Sequence, residues 1–370
     1  LYLTEWNLGS GDGNNFVNTA PLSSDRTSSP YQIYKESKVG NPDVHWEVAR
    51  KLNFGIDYSF LNGLVSGSFD IFKDKRTDVL VGGGDRAVPA YFGQSAPTAN
   101  LGKVDNKGYE LEVKLSKNFG KIHAWANMNM THAESKIKVK DDAQLLPDYR
   151  KQAGYAIGQT RTYLDYGRIT TYDELYAAPQ TYQFNDQRLM GDYYIIDFNG
   201  DGQITEDDLA PWGYSSTPQN TYNATLGVEY KGWSAFAQFY GVTNVTRDVN
   251  LTSFGGKFNN VYEQGTWYSE DPSNADIETP RYNTSLFSTG TQFLYDASYI
   301  RLKTIEIAYT FPKLMVGKYA FSNVKIYVNG NNLWLWSRMP DDRESNFAGA
   351  SNQGQYPTVK RFTIGLKFSL

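Results

Sequence analysis

Apolar and polar residues alternate with period two over much of this chain, in runs longer than the roughly 5–6 residues of an ordinary globular strand. In residues 52–60, Leu52, Phe54, Ile56, Tyr58 and Phe60 fall on one side of an extended backbone, with Asn53, Gly55, Asp57 and Ser59 on the other. Residues 222–230 set Tyr222, Ala224, Leu226, Val228 and Tyr230 against Asn223, Thr225, Gly227 and Glu229. Residues 108–116 oppose Tyr109, Leu111, Val113 and Leu115 to Glu110, Glu112, Lys114 and Ser116. The last run, 361–370, opposes Phe362, Ile364, Leu366, Phe368 and Leu370 to Arg361, Thr363, Gly365, Lys367 and Ser369. Each run predicts a strand with one apolar, often aromatic face and one polar or charged face.

The pattern predicts nine such strands, near 46–60, 64–80, 105–118, 121–138, 219–231, 233–247, 296–311, 321–337 and 356–370. Their links alternate: 61–63, 117–120, 231–232 and 312–320 are short, whereas 81–104, 139–218, 248–295 and 338–355 are long and polar. Outer-membrane barrels have short periplasmic turns and long external loops, and a soluble sandwich has no reason to sort its loops this way. Tyr58, Phe60, Tyr230, Tyr309, Phe311 and Phe368 lie on the apolar face near the short-link ends, where a girdle belongs. The expected fold class is all-β, a transmembrane antiparallel β-barrel with long external loops. Nine strands are an odd number, whereas bacterial single-chain barrels have an even one with both termini periplasmic. An unpaired edge does not stand in lipid. Residues 1–370 are therefore expected to be the C-terminal portion of one barrel domain whose earlier strands precede Leu1.

Composition narrows this picture without redirecting it. The chain holds 28 Tyr, 20 Phe and 8 Trp, enough for girdles. It lacks any run of about 20 apolar residues, which excludes a helical membrane protein. A negative mean hydropathy does not oppose a barrel, because only every second strand residue faces lipid. The absence of cysteine removes thiolate zinc sites, a cysteine nucleophile and a disulfide scaffold. A net charge of -4 with mixed signs gives no nucleic-acid footprint and no polybasic anchor. Residues 1–6 lack the basic region and apolar core of a signal peptide, so the native N-terminus is expected upstream.

Several stretches resemble the SusC/RagA-like class of TonB-dependent transporters, from about Val39 onward. Residues 39–80, "VGNPDVHWEVARKLNFGIDYSFLNGLVSGSFDIFKDKRTDVL", are similar to the family's segment of Asn-Pro and Trp-Glu followed by a hairpin. Five more follow in family order: "IDFNGDG" (196–202), "WYSEDPSNADIETPR" (267–281), "ASYIRLKTIEIAY" (297–309), "IYVNGNNL" (326–333) and "YPTVKRFTIGLKF" (356–368). The resemblance implies a barrel of about 22 strands with a plugged lumen, of which this chain supplies about nine. It also implies energy from the TonB complex, a SusD-like surface lipoprotein as lid, and oligosaccharide or oligopeptide substrates. The plug and the TonB box are not among these residues. The chain departs from the family at Leu370, where an aromatic is usual, with Phe368 two residues earlier. The expected function is thus TonB-dependent nutrient import across the bacterial outer membrane. The alternative is a soluble, calcium-dependent, carbohydrate-binding β-protein.

One motif carries metal chemistry. Residues 197–208 have the spacing of an EF-hand-type calcium loop. Hard Ca²⁺ takes about six to eight oxygens, here Asp197, Asn199, Asp201, the Gln203 carbonyl and Asp208, while Gly202 permits the sharp turn. Asp208 stands where Glu is usual and reaches less far. No helical pattern precedes Asp197, so the expectation is a calcium-stapled external loop; the bland reading is an Asn/Asp/Gly turn with solvated carboxylates. External segments also carry Tyr149, Tyr155, Tyr163, Tyr166, Tyr172, Tyr176, Tyr182, Trp212, Tyr214 and Trp267, whose rings suit sugars or peptides but pack equally well on their own loops. Trp334 and Trp336 share the parity of Val324, Ile326 and Val328 and read as an outer girdle, unless a bulge at 330–332 turns them into the lumen.

No enzyme is expected. His45, His123 and His132 show no metal-ligand spacing, and His123 and His132 have opposite strand parity. Glu110 and Glu112 share a facing but read as a hydrated pore lining rather than a glycosidase pair. Residues 82–85 (Gly-Gly-Gly-Asp) signal a loop without the strand and helix a phosphate site needs.

Overall fold

The computed structural model describes residues 6–8, 34–36, 40–89, 91, 96–181, 190, 192–248, 290–291, 294–316, 319–339 and 358–369. Among the described residues nine long strands form one sheet: β1 (Val48–Phe60), β2 (Val65–Val81), β3 (Ala99–Phe119), β4 (Ile122–Val139), β5 (Asn220–Tyr230), β6 (Trp233–Thr243), β7 (Tyr299–Val316), β8 (Tyr319–Ser337) and β9 (Arg361–Ser369). Each lies beside its neighbours in sequence, an up-and-down meander. The tight links need left-handed backbone: Leu61, Asn62 and Gly63 have φ of 55°, 57° and 83°, and Lys231 and Gly232 have 46° and 90°. Positive φ at both central residues suits the twist of a two-residue hairpin.

Several expected boundaries move; β3 begins at Ala99 rather than near 105, and β9 at Arg361 rather than near 356. β7 runs through Pro312 to Val316 and β8 begins at Tyr319, so the expected link 312–320 shrinks to 317–318. The expected strand 233–247 breaks after Thr243. Asn244 takes φ 56° there, and Thr246–Asp248 pairs with Leu294–Asp296 instead. Tyr182, Trp267 and Leu370, the whole of the family-like stretch 267–281 and all but the first two residues of loop 338–355 lie outside the described residues.

The sheet is two-faced. Ile122, Tyr230, Trp233, Tyr309 and Ile326 stand side by side across β4 to β8, and Ala126, Leu226, Ala237, Ile305 and Gly330 do so higher up. This face is apolar yet exposed: Ile364 at 78%, Ile307 at 51% and Trp233 at 53%. In water such a face would be an association surface; against lipid it is the solvated one. Its rings crowd at the short-turn end, with Tyr309 4.6 Å from Phe311 and 4.9 Å from Trp233, and Tyr58 5.6 Å from Phe60. Trp334 and Trp336 oppose Leu302 and Ile300 on the same apolar face, 50% and 45% exposed, so the outer-girdle reading stands over its alternative, a turn into the lumen at 330–332.

Contacts divide the chain into two compact units: Leu1–Leu52, Lys73–Asn106 and Ser135–Tyr155 in one, and Asn53–Phe72, Lys107–Glu134 and Ala156–Leu370 in the other. In the first, Arg86 is held by Asp141 at 3.0 Å and donates to the Pro97 carbonyl at 2.9 Å. In the second, strand glycines seat rings: a Cβ on Gly227 would stand 2.2 Å from the Trp125 indole, and one on Gly365 2.1 Å from the Tyr327 ring. Tyr58 reaches across to donate to the Glu112 carbonyl at 2.8 Å.

Candidate functional site

Residues 156–218, between β4 and β5, fold around a small core of their own. Tyr163, Ile195 and Ile204 are buried with Leu209 packed against them, and Ile169 is buried as well. Short ladders fasten the excursion: 161–162 with 210–211, 165–168 with 193–195, and the parallel pair 180–181 with 203–204. Helix α1 (Tyr172–Ala177) opens on a capping box in which the Thr171 side chain accepts from the Glu174 N–H, and the Glu174 carboxylate accepts from the Thr170 and Thr171 N–H groups. Those two backbone bonds, Thr170 first, hold the Glu174 carboxyl below its usual range.

The acidic loop at 197–208 lies in this excursion. Asp197 accepts from the N–H groups of Gly200 (2.7 Å), Asp201 (3.2 Å) and Gly202 (2.6 Å). Asn199 accepts from the Asp201 N–H at 3.0 Å and donates to the Asp201 carboxylate at 3.0 Å, while Asp201 accepts from the Gln203 N–H at 2.8 Å. Three of the expected metal ligands are thus drawn together by Asx turns, and Gly202 at φ 84° makes the turn. Gln203 opens the short strand that pairs with Gln180. Asp208 points elsewhere: fully buried, it accepts from Phe198 (2.8 Å), Asn199 (3.3 Å) and Thr205 (2.7 Å), clasping the two ends of the loop through their amides. Among the described residues no three His, Asp or Glu side chains gather closely enough to hold a metal by themselves. A cation here would depend on Asp197, Asn199, Asp201 and a main-chain carbonyl, an all-oxygen set of the kind Ca²⁺ takes.

The external aromatics divide by burial. Tyr163 is core at 4% exposure, whereas Tyr166, Tyr172 and Tyr176 are exposed at 78%, 65% and 83%. Tyr166 meets Tyr194 edge-on at 5.7 Å, and the Tyr194 hydroxyl donates to the Ala177 carbonyl at 3.2 Å. His123 and His132 engage different partners, as their parity requires: His123 lies 2.9 Å from Ser116 Oγ and 3.7 Å from Glu229, and His132 2.6 Å from Asn220.

The second face of the sheet is polar, as the alternation of the runs predicts. Arg361, Asn331, Thr304, Gln238, Thr225 and Asn127 stand in one row across β9 to β4. The row toward the short turns holds Glu306, which Lys325 meets at 2.8 Å. Toward the long loops the same side turns apolar: Val242, Val245, Ala297, Tyr299 and Met339 are buried together, with Tyr240, Tyr295 and Leu335 against them. Beside this cluster Arg338 binds Asp296 at 2.6 Å. Burial alone would raise the Asp296 carboxyl, but hydrogen bonds from Ser298 and Arg338 outweigh it and lower it. Asp248 is pushed up by burial.

A signal for this face was present in the chain. Apolar residues fall on even positions at Ile300 and Leu302 and on odd ones at Ile305, Ile307 and Tyr309, a slip of phase that marks a bulge between them.

No family model matches the chain. It is similar to TonB-dependent receptor P3 of Formosa agariphila, 26% identical over 372 residues that cover 92% of this chain and 36% of that protein. It is similar also to TonB-dependent receptor SusC of Bacteroides thetaiotaomicron, 23% identical over 354 residues, covering 91% and 33%. Solved structures of the RagAB peptide transporter share its fold, one with a TM-score of 0.68 and 18% identity and another, the importer in its open-open state, with 0.69 and 20%; each covers 100% of this chain and 38% of the other. The chain spans about a third of the length of the curated relatives it matches.

Proposed function

Starting from a chain similar to TonB-dependent receptors of the outer membrane, we propose that it is of the SusC/RagA-like class and forms part of the wall of a transporter importing oligosaccharides or oligopeptides. The observation that carries this reading is the two-faced sheet: an exposed apolar face with a ring girdle at its short-turn end, backed by a polar face. A soluble β-protein would bury the first of these faces, so the soluble alternative is not favoured. The likeness to a transporter described as carrying peptides supports a peptide cargo, while exposed rings such as Tyr166, Tyr172 and Tyr176 suit sugar faces as well. A SusD-like lipoprotein would cover the long-loop end, and coupling to TonB would fall to residues outside this chain. The role is transport, and we assign no catalytic residue.

The test uses the full-length parent protein. It is expected in the detergent-extracted outer membrane, with uptake abolished when TonB is deleted. Recovery in the aqueous phase, or uptake indifferent to TonB, overturns the reading.

We propose further that the 197–208 loop binds Ca²⁺ through Asp197, Asn199, Asp201 and the Gln203 carbonyl, while Asp208, the last position of the motif, braces the loop through its amides instead of ligating the ion. The spacing of these oxygens and the convergence of the first three side chains support it. The ion would staple the excursion from outside its core. Asp201→Ala is expected to lower calcium retention and to increase protease cutting within 140–218. Cutting that is unchanged by a chelator in the unsubstituted protein contradicts the site.

A further inference from the structure

On the polar face of β6 to β9 lies a recess of about 470 Å³ bordered by Gln238, Tyr240, Lys303, Thr304, Asn331 and Arg361. It exists because two adjacent strands are irregular at one height. Gln238 opposes Thr304 but Phe239 opposes Leu302, so β7 carries one residue more than β6 there. That bulge keeps Lys303 on the polar side next to Thr304, where strict alternation would send one of them to lipid. On β8 the step from Asn331 to Trp334 faces the step from Thr304 to Leu302, and Asn332 takes φ 55°, a conformation asparagine tolerates better than most residues. The Asn332 side chain then donates to the Val359 carbonyl at 3.2 Å, tying β8 to the segment that leads into β9.

Among the described residues the charged groups of the lining, Lys303 and Arg361, are both cationic. Lys303 Nζ lies 5.6 Å over the Tyr240 ring, which orients the ammonium. Arg361 opposes Asn331, whose amide donates to Thr304 Oγ1 at 3.2 Å. Among the described residues no carboxylate borders the recess. Glu306, the acid on the neighbouring row, already meets Lys325. Two cations with amide and hydroxyl groups around them complement a carboxylate flanked by hydrogen-bonding atoms.

We propose that this recess is a selectivity site that binds the carboxylate of an acidic oligomer on its way along the lumen. The inference rests on the transport reading above and names its substrate class. The carboxylate can come from a uronate sugar or from an Asp or Glu of a peptide, and the two are separated by probe.

The experiment uses the purified full-length transporter and its charge-removing variant, Lys303→Gln with Arg361→Gln. Probes are trigalacturonate, maltotriose, tetraglutamate and tetraglutamine, read by calorimetry and by uptake into cells. The unsubstituted protein is expected to bind one acidic probe over its neutral counterpart, and the variant to lose about ten-fold in affinity for that probe alone. Lys303→Arg with Arg361→Lys, which keeps the charges, should restore most of the preference. Which acidic probe responds identifies the source. Equal binding of acidic and neutral probes by the unsubstituted protein overturns the proposal, as does a variant that loses both alike, since the recess would then be a structural seat. Binding with the expected preference but no TonB-dependent uptake would instead strike the transport reading and leave the recess standing.

Discussion

The strands of the wall and the excursion at 156–218 come from one chain yet place their apolar residues in opposite ways. In the excursion Ile204 and Ile195 are 0% and 2% exposed, a conventional if small interior. In the wall Ile364 is 78% exposed and Phe362 73%, and the polar residues turn to the other side. The hydrophobic effect is the same in both. What differs is the medium outside: water around the loop, hydrocarbon around the wall. Exposure to solvent therefore predicts tolerance to substitution in one region and the reverse in the other.

The sharpest way to break that comparison is Ile307→Arg. On a water-facing strand an exposed residue of this kind would move stability by less than about 0.5 kcal/mol. Facing lipid it should cost about 2–4 kcal/mol, read by denaturant titration of the full-length protein refolded into vesicles. Next comes Ile204→Ala in the excursion, expected to cost about 2 kcal/mol, the low end for such a deletion because the cluster is small. It should open 156–218 to protease while leaving membrane insertion unchanged. Gly227→Ala is expected to cost about 1–2 kcal/mol, since the Trp125 ring it meets must shift along the strand; a smaller loss in Gly227→Ala with Trp125→Ala together would show that the ring is the cause.

The smallest effect concerns pH and only the excursion. Glu174 has its folded pKa lowered, so its contribution is present above the ordinary carboxylate range and is lost as pH falls through the lowered folded value. Acidification through that window should loosen α1, seen as faster amide exchange at 172–177. Glu174→Gln should remove the pH dependence, and the wall strands should show none of it.

Much of this was legible from the chain. Period-two runs such as 222–230 place β5 to within a residue or two, because a face in lipid must be continuously apolar. Pro312 misled in the other direction: it reads as a strand stop, yet β7 passes through it. The slip between Leu302 and Ile305 was visible but uninterpretable without the register that shows which strand absorbs it. In the acidic loop the spacing of Asp197, Asn199 and Asp201 could be read directly. That Asp208 clasps the amides of Phe198, Asn199 and Thr205 could not, since it depends on burial by the surrounding ladders.

The account stands on which face of the sheet meets lipid. This chain contributes no cysteine, so single cysteines placed along 223–229 of the full-length protein can each carry a fluorophore in reconstituted vesicles. Quenching by lipid-borne bromine is expected at Ala224, Leu226 and Val228, and quenching by aqueous iodide at Asn223, Thr225 and Glu229. Iodide reaching the first three as readily as the second, or no alternation along the strand, would contradict it.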